Sequence, residues 1–315
     1  MPCLLAIVCF SGHAQTTTKS SSTTKLPSTE VKETKSDKAD ELITNRMIRA
    51  QSGSLSPLSI NSTFAYNGGS LNNPFAAVRP NILSAGNTAL IAGMTGSINA
   101  NYRMTKVDRV GVGAGMQMLA PFNSSIETDN ARTRSEFEEN RQKLDVSDPY
   151  INYTRLANFY GVQTVITAGL RKYTTGNLTD AGYDFNTNLV VNTMYDFGGS
   201  NFSVGLYAVY DRNFFSNDDA ALAAFQNETI FGFLPQAEYV INDTFNLRTI
   251  VRSHWYQNDR LRPSNKFTKR PVTQSVGLGI SINRDVFLYP NIQFAYDDFR
   301  ASNTNVGLQA NINMF

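Results

Sequence analysis

The chain has 315 residues, 41% apolar and 17% charged, with a formal net charge of +2. That length can bury a large core, which excludes disorder for the chain as a whole, and the near-balanced charge leaves no electrostatic footprint for nucleic acid. Asn, Thr, Ser, Gly and Tyr are plentiful, a mix that suits strands and turns better than helices.

The opening residues, "MPCLLAIVCFSGHAQ", run apolar from Leu4 to Phe10 and then carry the small residues Gly12 and Ala14. This is the order of an export signal over residues 1–14, cleaved before Gln15. A lipoprotein signal ending at Cys9 is the alternative, but Ile7 and Val8 are bulky where that signal has small residues. Both cysteines, Cys3 and Cys9, fall in the segment to be removed, so the mature chain offers neither a disulfide framework nor a thiolate metal site. No later stretch approaches the ~18 consecutive apolar residues of a spanning helix. An exported chain without one can still cross a membrane, as a closed barrel.

Thr16 to Lys38 is a Ser/Thr/Lys-rich tract with almost nothing to bury, and it reads as a disordered extension. In Ala39–Gln51, Leu42, Ile43, Met47 and Ile48 are spaced for one short amphipathic helix. Residues 15–54 together are therefore expected to be a disordered linker with one marginal helix that simply leads into the first strand.

From Leu55 the period of the apolar residues becomes two and stays so. In "RVGVGAGMQMLAPF", Val110, Val112, Ala114, Met116, Met118, Ala120 and Phe122 share one face, opposite Gly111, Gly113, Gly115 and Gln117. In "YDFNTNLVVNTMYDF", Phe185, Leu189, Val191, Tyr195 and Phe197 oppose Asp184, Asn186, Asn188, Asn192 and Asp196. In "TFNLRTIVRSHWYQ", Phe245, Leu247, Val251 and Trp255 oppose Asn246, Arg248, Arg252, His254 and Tyr256. Such alternation sends one set to each side of a sheet. About twelve segments of this kind follow one another, each near the ~9–11 residues of a tilted membrane strand. They begin near Leu55, Thr88, Arg109, Val146, Gly161, Tyr183, Asn201, Glu228, Thr244, Val272, Val286 and Asn305.

Short turns at Thr105–Asp108, Ala157–Tyr160, Gly198–Ser200, Asn242–Asp243 and Asn283–Asp285 alternate with longer loops. The loops fall at Asn67–Asn87, Asn123–Asp145, Thr174–Gly182, Ser216–Asn227, Asn258–Arg270 and Asp298–Thr304. One rim of tight turns and another of large loops is the plan of an outer-membrane barrel. A soluble sandwich or lipocalin-like barrel would alternate too. The export signal, the aromatic residues near strand ends and the terminal Phe315 favour the membrane form. Pro235 and Pro290 sit inside strand segments, remove a ladder donor each and predict a bulge or register break, which leaves the strand count open by about two.

Across Leu55–Phe315 the chain thus resembles the bacterial outer-membrane β-barrel class. The resemblance implies an all-β, transmembrane, antiparallel up-and-down barrel over residues 55–315, seated in outer-membrane lipid. It also implies that the last strand, "NVGLQANINMF", closes on the first and that its Phe315 is read by the barrel-assembly machinery. The apolar residues Leu308, Ala310, Ile312 and Met314 run one position out of step with Phe315, which is therefore expected to turn at the rim.

Catalysis is not expected. His254 is the only histidine after the signal, and alternation places it on the lumen face with Ser253 on the other, so the two would not meet. The His-x-Ser spacing of membrane phospholipase barrels is absent, and nothing marks the acidic pairs and rim histidine of omptin-like proteases. "SNDDA" at Ser216–Ala220 lacks the Gly and distal Glu of a calcium loop, so no metal is expected, and nothing implies a cofactor. The charged external segment Ile126–Asp145 reads as a solvated loop, the alternative being a contact surface for another cell, a partner or surface polysaccharide.

The lumen face is expected to carry Arg103, Arg171, Arg248, Arg252 and His254, together with Asp184, Asp196, Glu238 and Asp297. Buried charges are paired or wet. The lumen is then either a passage for small polar solutes, leaning toward anions, or a core of paired side chains in a structural or adhesive barrel that acts through its loops. The small inward rows, Gly111–Gly113–Gly115 and Ser275–Gly277–Gly279–Ser281, either leave free space inside or serve strand curvature in a small barrel.

Overall fold

The computed structural model describes residues 42–82, 90–126, 134–135, 138–139, 143–216, 226–260 and 266–315. The signal and the Thr16–Lys38 tract lie outside the described residues. Twelve antiparallel strands, each paired with its sequence neighbours, close into a barrel. They are β1 (Leu58–Ser70), β2 (Gly93–Arg103), β3 (Asp108–Leu119), β4 (Leu144–Phe159), β5 (Val162–Lys172) and β6 (Tyr183–Asp196). Then follow β7 (Phe202–Phe215), β8 (Asn227–Val240), β9 in two pieces (Phe245–Arg252 and His254–Asp259), β10 (Thr273–Ser281), β11 (Val286–Ala295) and β12 (Asn305–Met314).

The final strand β12 closes on β1, with Thr63 opposite Asn311 and Asn61 opposite Asn313. Phe315 lies beyond β12, at a positive φ of 73° and 79% exposed, so it turns at the rim rather than continuing the ladder. The tightest turn, Tyr160–Gly161, has positive φ at both residues, as a two-residue hairpin connection requires.

Burial is inverted relative to a soluble protein. Asn99, Asn101, Thr154, Gln163, Asn186, Asn192, Gln236, Asn246, Asn291 and Asn313 are buried inside. Leu58, Ile98, Tyr102, Val112, Ile151, Leu170, Leu189, Leu206, Phe233, Leu247 and Leu308 are exposed on the outer wall. Period-two alternation alone could not distinguish these faces; closure of the sheet does, because the amides are enclosed.

The prolines mark real irregularities. On β8, Phe233 pairs with His254 and Gln236 with Ile250, so two β8 residues, Leu234 and Pro235, face three on β9, Val251 to Ser253. Pro235 has no N–H to offer at that point, and the extra residue makes a bulge. Pro290 lies where the β10–β11 ladder misses its pairs between Gly277–Asn291 and Ile280–Leu288.

Two of the inward glycines do not leave free space. A Cβ on Gly111 would run into the side chains of Asn99, Asn101 and Asn152, and one on Gly279 would meet Asn246 and Phe287. Glycine there lets neighbouring amides and rings fold across the wall, which corrects the expectation of free space at those two positions.

Candidate functional site

One helix, α1 (Arg46–Gln51), stands on the lumen side of the short-turn rim. It starts at Asn45, whose side chain accepts the Ile48 N–H at 3.1 Å and caps the first turn. Ile43, Met47, Ile48 and Ala50 are almost wholly buried, against Leu156, Val165, Met194, Leu234, Ile250, Phe287 and Tyr289 from the barrel wall. The helix therefore does not merely lead into β1. It caps an apolar collar inside the barrel, because its apolar face has no other surface to cover.

Polar contacts fix this plug on several strands at once. Gln163 Oε1 accepts the backbone N–H groups of Thr44 and Asn45, both at 2.7 Å. Asn192 donates to Gln51 Oε1 at 2.6 Å, and Asn313 to the Ala50 carbonyl at 2.8 Å. Arg46 ion-pairs with Asp243 at 2.7 Å in the β8–β9 turn. The chain leaves the plug through Gly53, at φ 83° and beneath the Arg109 guanidinium, where a Cβ would collide with that group. Arg284 donates to the Gly53 carbonyl at 3.0 Å and Arg103 to that of Leu55 at 2.7 Å.

Several expected lumen residues belong to this seal. Asp196 accepts from Gln163 and Ser203, each at 2.6 Å, and from Thr44 at 3.1 Å. Glu238 is 2% exposed and accepts from Asn45 at 3.4 Å and from Asn246. Arg248 is opposite Glu238 in register but donates to Gln236 at 2.7 Å, with its guanidinium 5.3 Å from the Tyr289 ring centroid. Arg103 is also at this rim.

Beyond the plug, two cavities are formed among the described residues. One, of about 320 Å³, is bounded by Gln51, Thr63, Asn152, Arg171, Asn188 and Tyr207. Arg171 lies 5.4 Å from the Tyr150 ring centroid. The other, of about 240 Å³, is nearer the long loops and is bounded by Arg79, Arg252, Trp255, Arg270 and Thr273. Arg79 is positioned by a two-residue ladder, Val78–Arg79 with Leu90–Ile91, within the β1–β2 loop. Burial lowers Arg79 and Arg270 from the ordinary arginine range, and an arginine remains cationic at neutral pH regardless.

Three expected lumen residues lie elsewhere. His254 is exposed on the outer wall, because the β9 bulge reverses the phase after Arg252 and turns Trp255 inward in its place. The same bulge brings Ser253 Oγ to 2.8 Å from His254 Nδ1, a meeting that regular alternation forbids. Asp184 sits where the β6–β7 register slips, and it pairs with Lys172 at the long-loop rim. Asp297 is exposed in the turn that follows β11, which stops at Ala295.

Sequence reasoning missed Arg79, Arg270 and the plug contacts. Loop arginines carry no periodic signal. The collar does: Leu156, Val165, Met194, Leu234, Ile250 and Phe287 are apolar residues at inward positions near the short turns.

No protein-family model matches the chain, and no curated protein matches it in sequence. Among solved structures, an outer membrane channel from Pseudomonas putida F1 is similar at TM-score 0.50 and 10% identity, over 84% of this chain and 98% of that one. The NanC porin follows at TM-score 0.42 and 10% identity, over 81% and 98%. The KdgM porin, in complex with disordered oligogalacturonate, gives 0.41 and 7%, over 82% and 98%. Identities this low speak to the fold, and the fold agrees with the apolar outer wall. The chain has the fold of an outer-membrane channel barrel. In this barrel the apolar side chains face outward and the amides line the interior.

Proposed function

We propose that this outer-membrane barrel is a passive, porin-like channel for small polar solutes, narrowed at its short-turn rim by its own residues 42–54. One observation supports the reading above others: beyond the plug the lumen is polar and roomy, with cavities of about 320 and 240 Å³. Asn99, Asn152 and Asn188 each present a buried side-chain oxygen with no partner among the described residues. Enclosed amides of that kind are satisfied by water, so a wet interior fits better than a packed one. The barrel is read as non-enzymatic, needing no cofactor or metal. Its insertion is assigned to the barrel-assembly machinery acting on β12 and Phe315.

The plug itself favours a second reading, a closed structural or adhesive barrel that works through its external loops. Planar-bilayer recording separates the two. Full-length refolded protein is expected to give small or infrequent conductance steps, and a deletion of residues 42–52 larger and more frequent ones. Silence from both proteins, each folded, would overturn the channel and promote the closed barrel.

A further inference from the structure

We propose that the cavity between the β1–β2 loop and the β9–β10 wall binds oxyanion-bearing solutes through the guanidiniums of Arg79, Arg252 and Arg270 and the indole N–H of Trp255. The inference deepens the channel reading and rests on it for the solute's access to the lumen.

Donors without partners converge on this cavity. Arg252 makes no hydrogen bond or ion pair among the described residues, and neither Arg79 nor Arg270 faces a carboxylate there. Arg79 spends only its Nε, on the Ile91 carbonyl at 3.4 Å, and Arg270 only its Nε, on Gln257 at 2.7 Å. Among the described residues their terminal nitrogens have no partner, and each forms a planar fork, the geometry that grips carboxylate or phosphate with two bonds. Among the described residues the buried Trp255 Nε1 also lacks a partner, as does the Thr273 hydroxyl, and both side chains line the same cavity. Indole offers a donor only and guanidinium only donors, so the group that completes the set must be an acceptor. An oxyanion supplies acceptors and the compensating charge together.

The approach to the cavity has the same sign. Residues 71–92 contain no Asp or Glu and one charged residue, Arg79. Residues 266–272 contain Lys266, Lys269 and Arg270, again without an acid. Such a rim concentrates anions before they enter. A volume of about 240 Å³ matches roughly eight waters at ~30 Å³ each. That suits a di- or tricarboxylate or a small phosphate ester and excludes a long chain lying wholly within it.

Trp255 is the only tryptophan in the chain, so the site carries its own reporter. Full-length protein refolded in zwitterionic detergent would be titrated with citrate, with inorganic phosphate and with neutral glucose while Trp emission is followed. Citrate or phosphate is expected to give a saturable change that weakens with added salt, and glucose none. The double variant R79Q/R270Q, altered only in loops, is expected to raise the half-saturating concentration at least tenfold while keeping the heat-modifiable gel mobility of a folded barrel. Should the double variant fail that folding check, R79Q alone is read the same way. No saturation with either anion, an equal response to glucose, or an unchanged half-saturation in the folded variant would overturn the site. Saturable citrate binding by a protein silent in bilayers would keep the site and end the channel reading. Conductance without saturation would do the reverse.

Discussion

Gln163 on β5 and Asn45 at the head of α1 are joined at 2.7 Å, the glutamine oxygen accepting the Asn45 backbone N–H while also holding that of Thr44. One side chain thus satisfies two amide donors at the start of the plug and donates to Asp196 and the Thr44 hydroxyl as well. Gln163→Leu would orphan both N–H groups, at about 1–3 kcal/mol each if they stay buried. The plug relieves that penalty by leaving the lumen, so the variant should open at least tenfold more often in single-channel records. An unchanged opening frequency, with only a lower melting temperature, would mean that the segment braces the barrel without gating it.

Leu206 on β7 is exposed on the outer wall, next to Gly205 on the lumen side. Leu206→Arg should destabilise the barrel in lipid by about 2–4 kcal/mol at the bilayer midplane, and by less nearer the interface. In a refolding titration Leu206→Gln should suffer less than Leu206→Arg. Full tolerance of Arg at this position would contradict a lipid-facing wall.

Orientation follows from the two rims. Short turns are periplasmic in outer-membrane barrels, and on that orientation the connection between β3 and β4 is expected to face the cell exterior. Trypsin added to intact cells is expected to cut at Arg132, Arg134, Arg141 or Lys143 and to spare the lysines of residues 16–38. Cutting of the N-terminal tract alone would reverse the orientation.

The barrel was legible because its signal is redundant. Twelve alternating segments and an unbroken short–long order of connections survive an error in any one of them. The lumen was less legible because face assignment depends on phase, and one inserted residue inverts it. Ser253 does this for His254 and Trp255, and the clue was Pro235 on the neighbouring strand, which no reading of β9 alone contains. Asp184 and Asp297 failed at strand ends, where pairing stops before alternation does. The plug was misread for a different reason. A six-residue helix has weak intrinsic stability, and its place is set by inward apolar residues distant in sequence, such as Met194 and Phe287.

The external β11–β12 loop gives a pH prediction. Asp298 accepts from Arg300 Nε at 2.6 Å and from Asn303 at 2.5 Å, and these hydrogen bonds hold its carboxyl down to about 2. A carboxyl depressed in the folded state stabilises this loop fully above its unfolded value, near ~3.9, and loses that contribution as pH falls through the folded value. The loop should keep its structure at pH 5 and loosen between about pH 4 and 2. Carboxyl NMR of Asp298 should show the low midpoint, and Arg300→Gln should move it upward. A midpoint at the ordinary Asp value in the parent protein would show that this loop contact does not persist in solution.

Arg248 and Arg252 share one face of β9 four residues apart, yet the structure gives them different work. Arg248 is 5% exposed, donates to Gln236 and lies over the Tyr289 ring, directly across the ladder from the buried Glu238. Glu238 Oε2 has no hydrogen-bond partner among the described residues, so the nearby guanidinium is what offsets its charge. Arg248→Ser should therefore strand a buried carboxylate, a loss of several kcal/mol, and should appear as a lower unfolding midpoint. Adding Glu238→Gln to it should recover much of that loss, because the stranded charge goes with it. Arg252 borders the outer cavity and makes no ion pair among the described residues, so its removal strands nothing. Arg252→Ser should leave the midpoint nearly unchanged and lower the anion-to-cation permeability ratio. Equal loss of stability in both variants, with no change in selectivity, would place Arg252 in the packed wall and leave the passage without a cationic filter at that height.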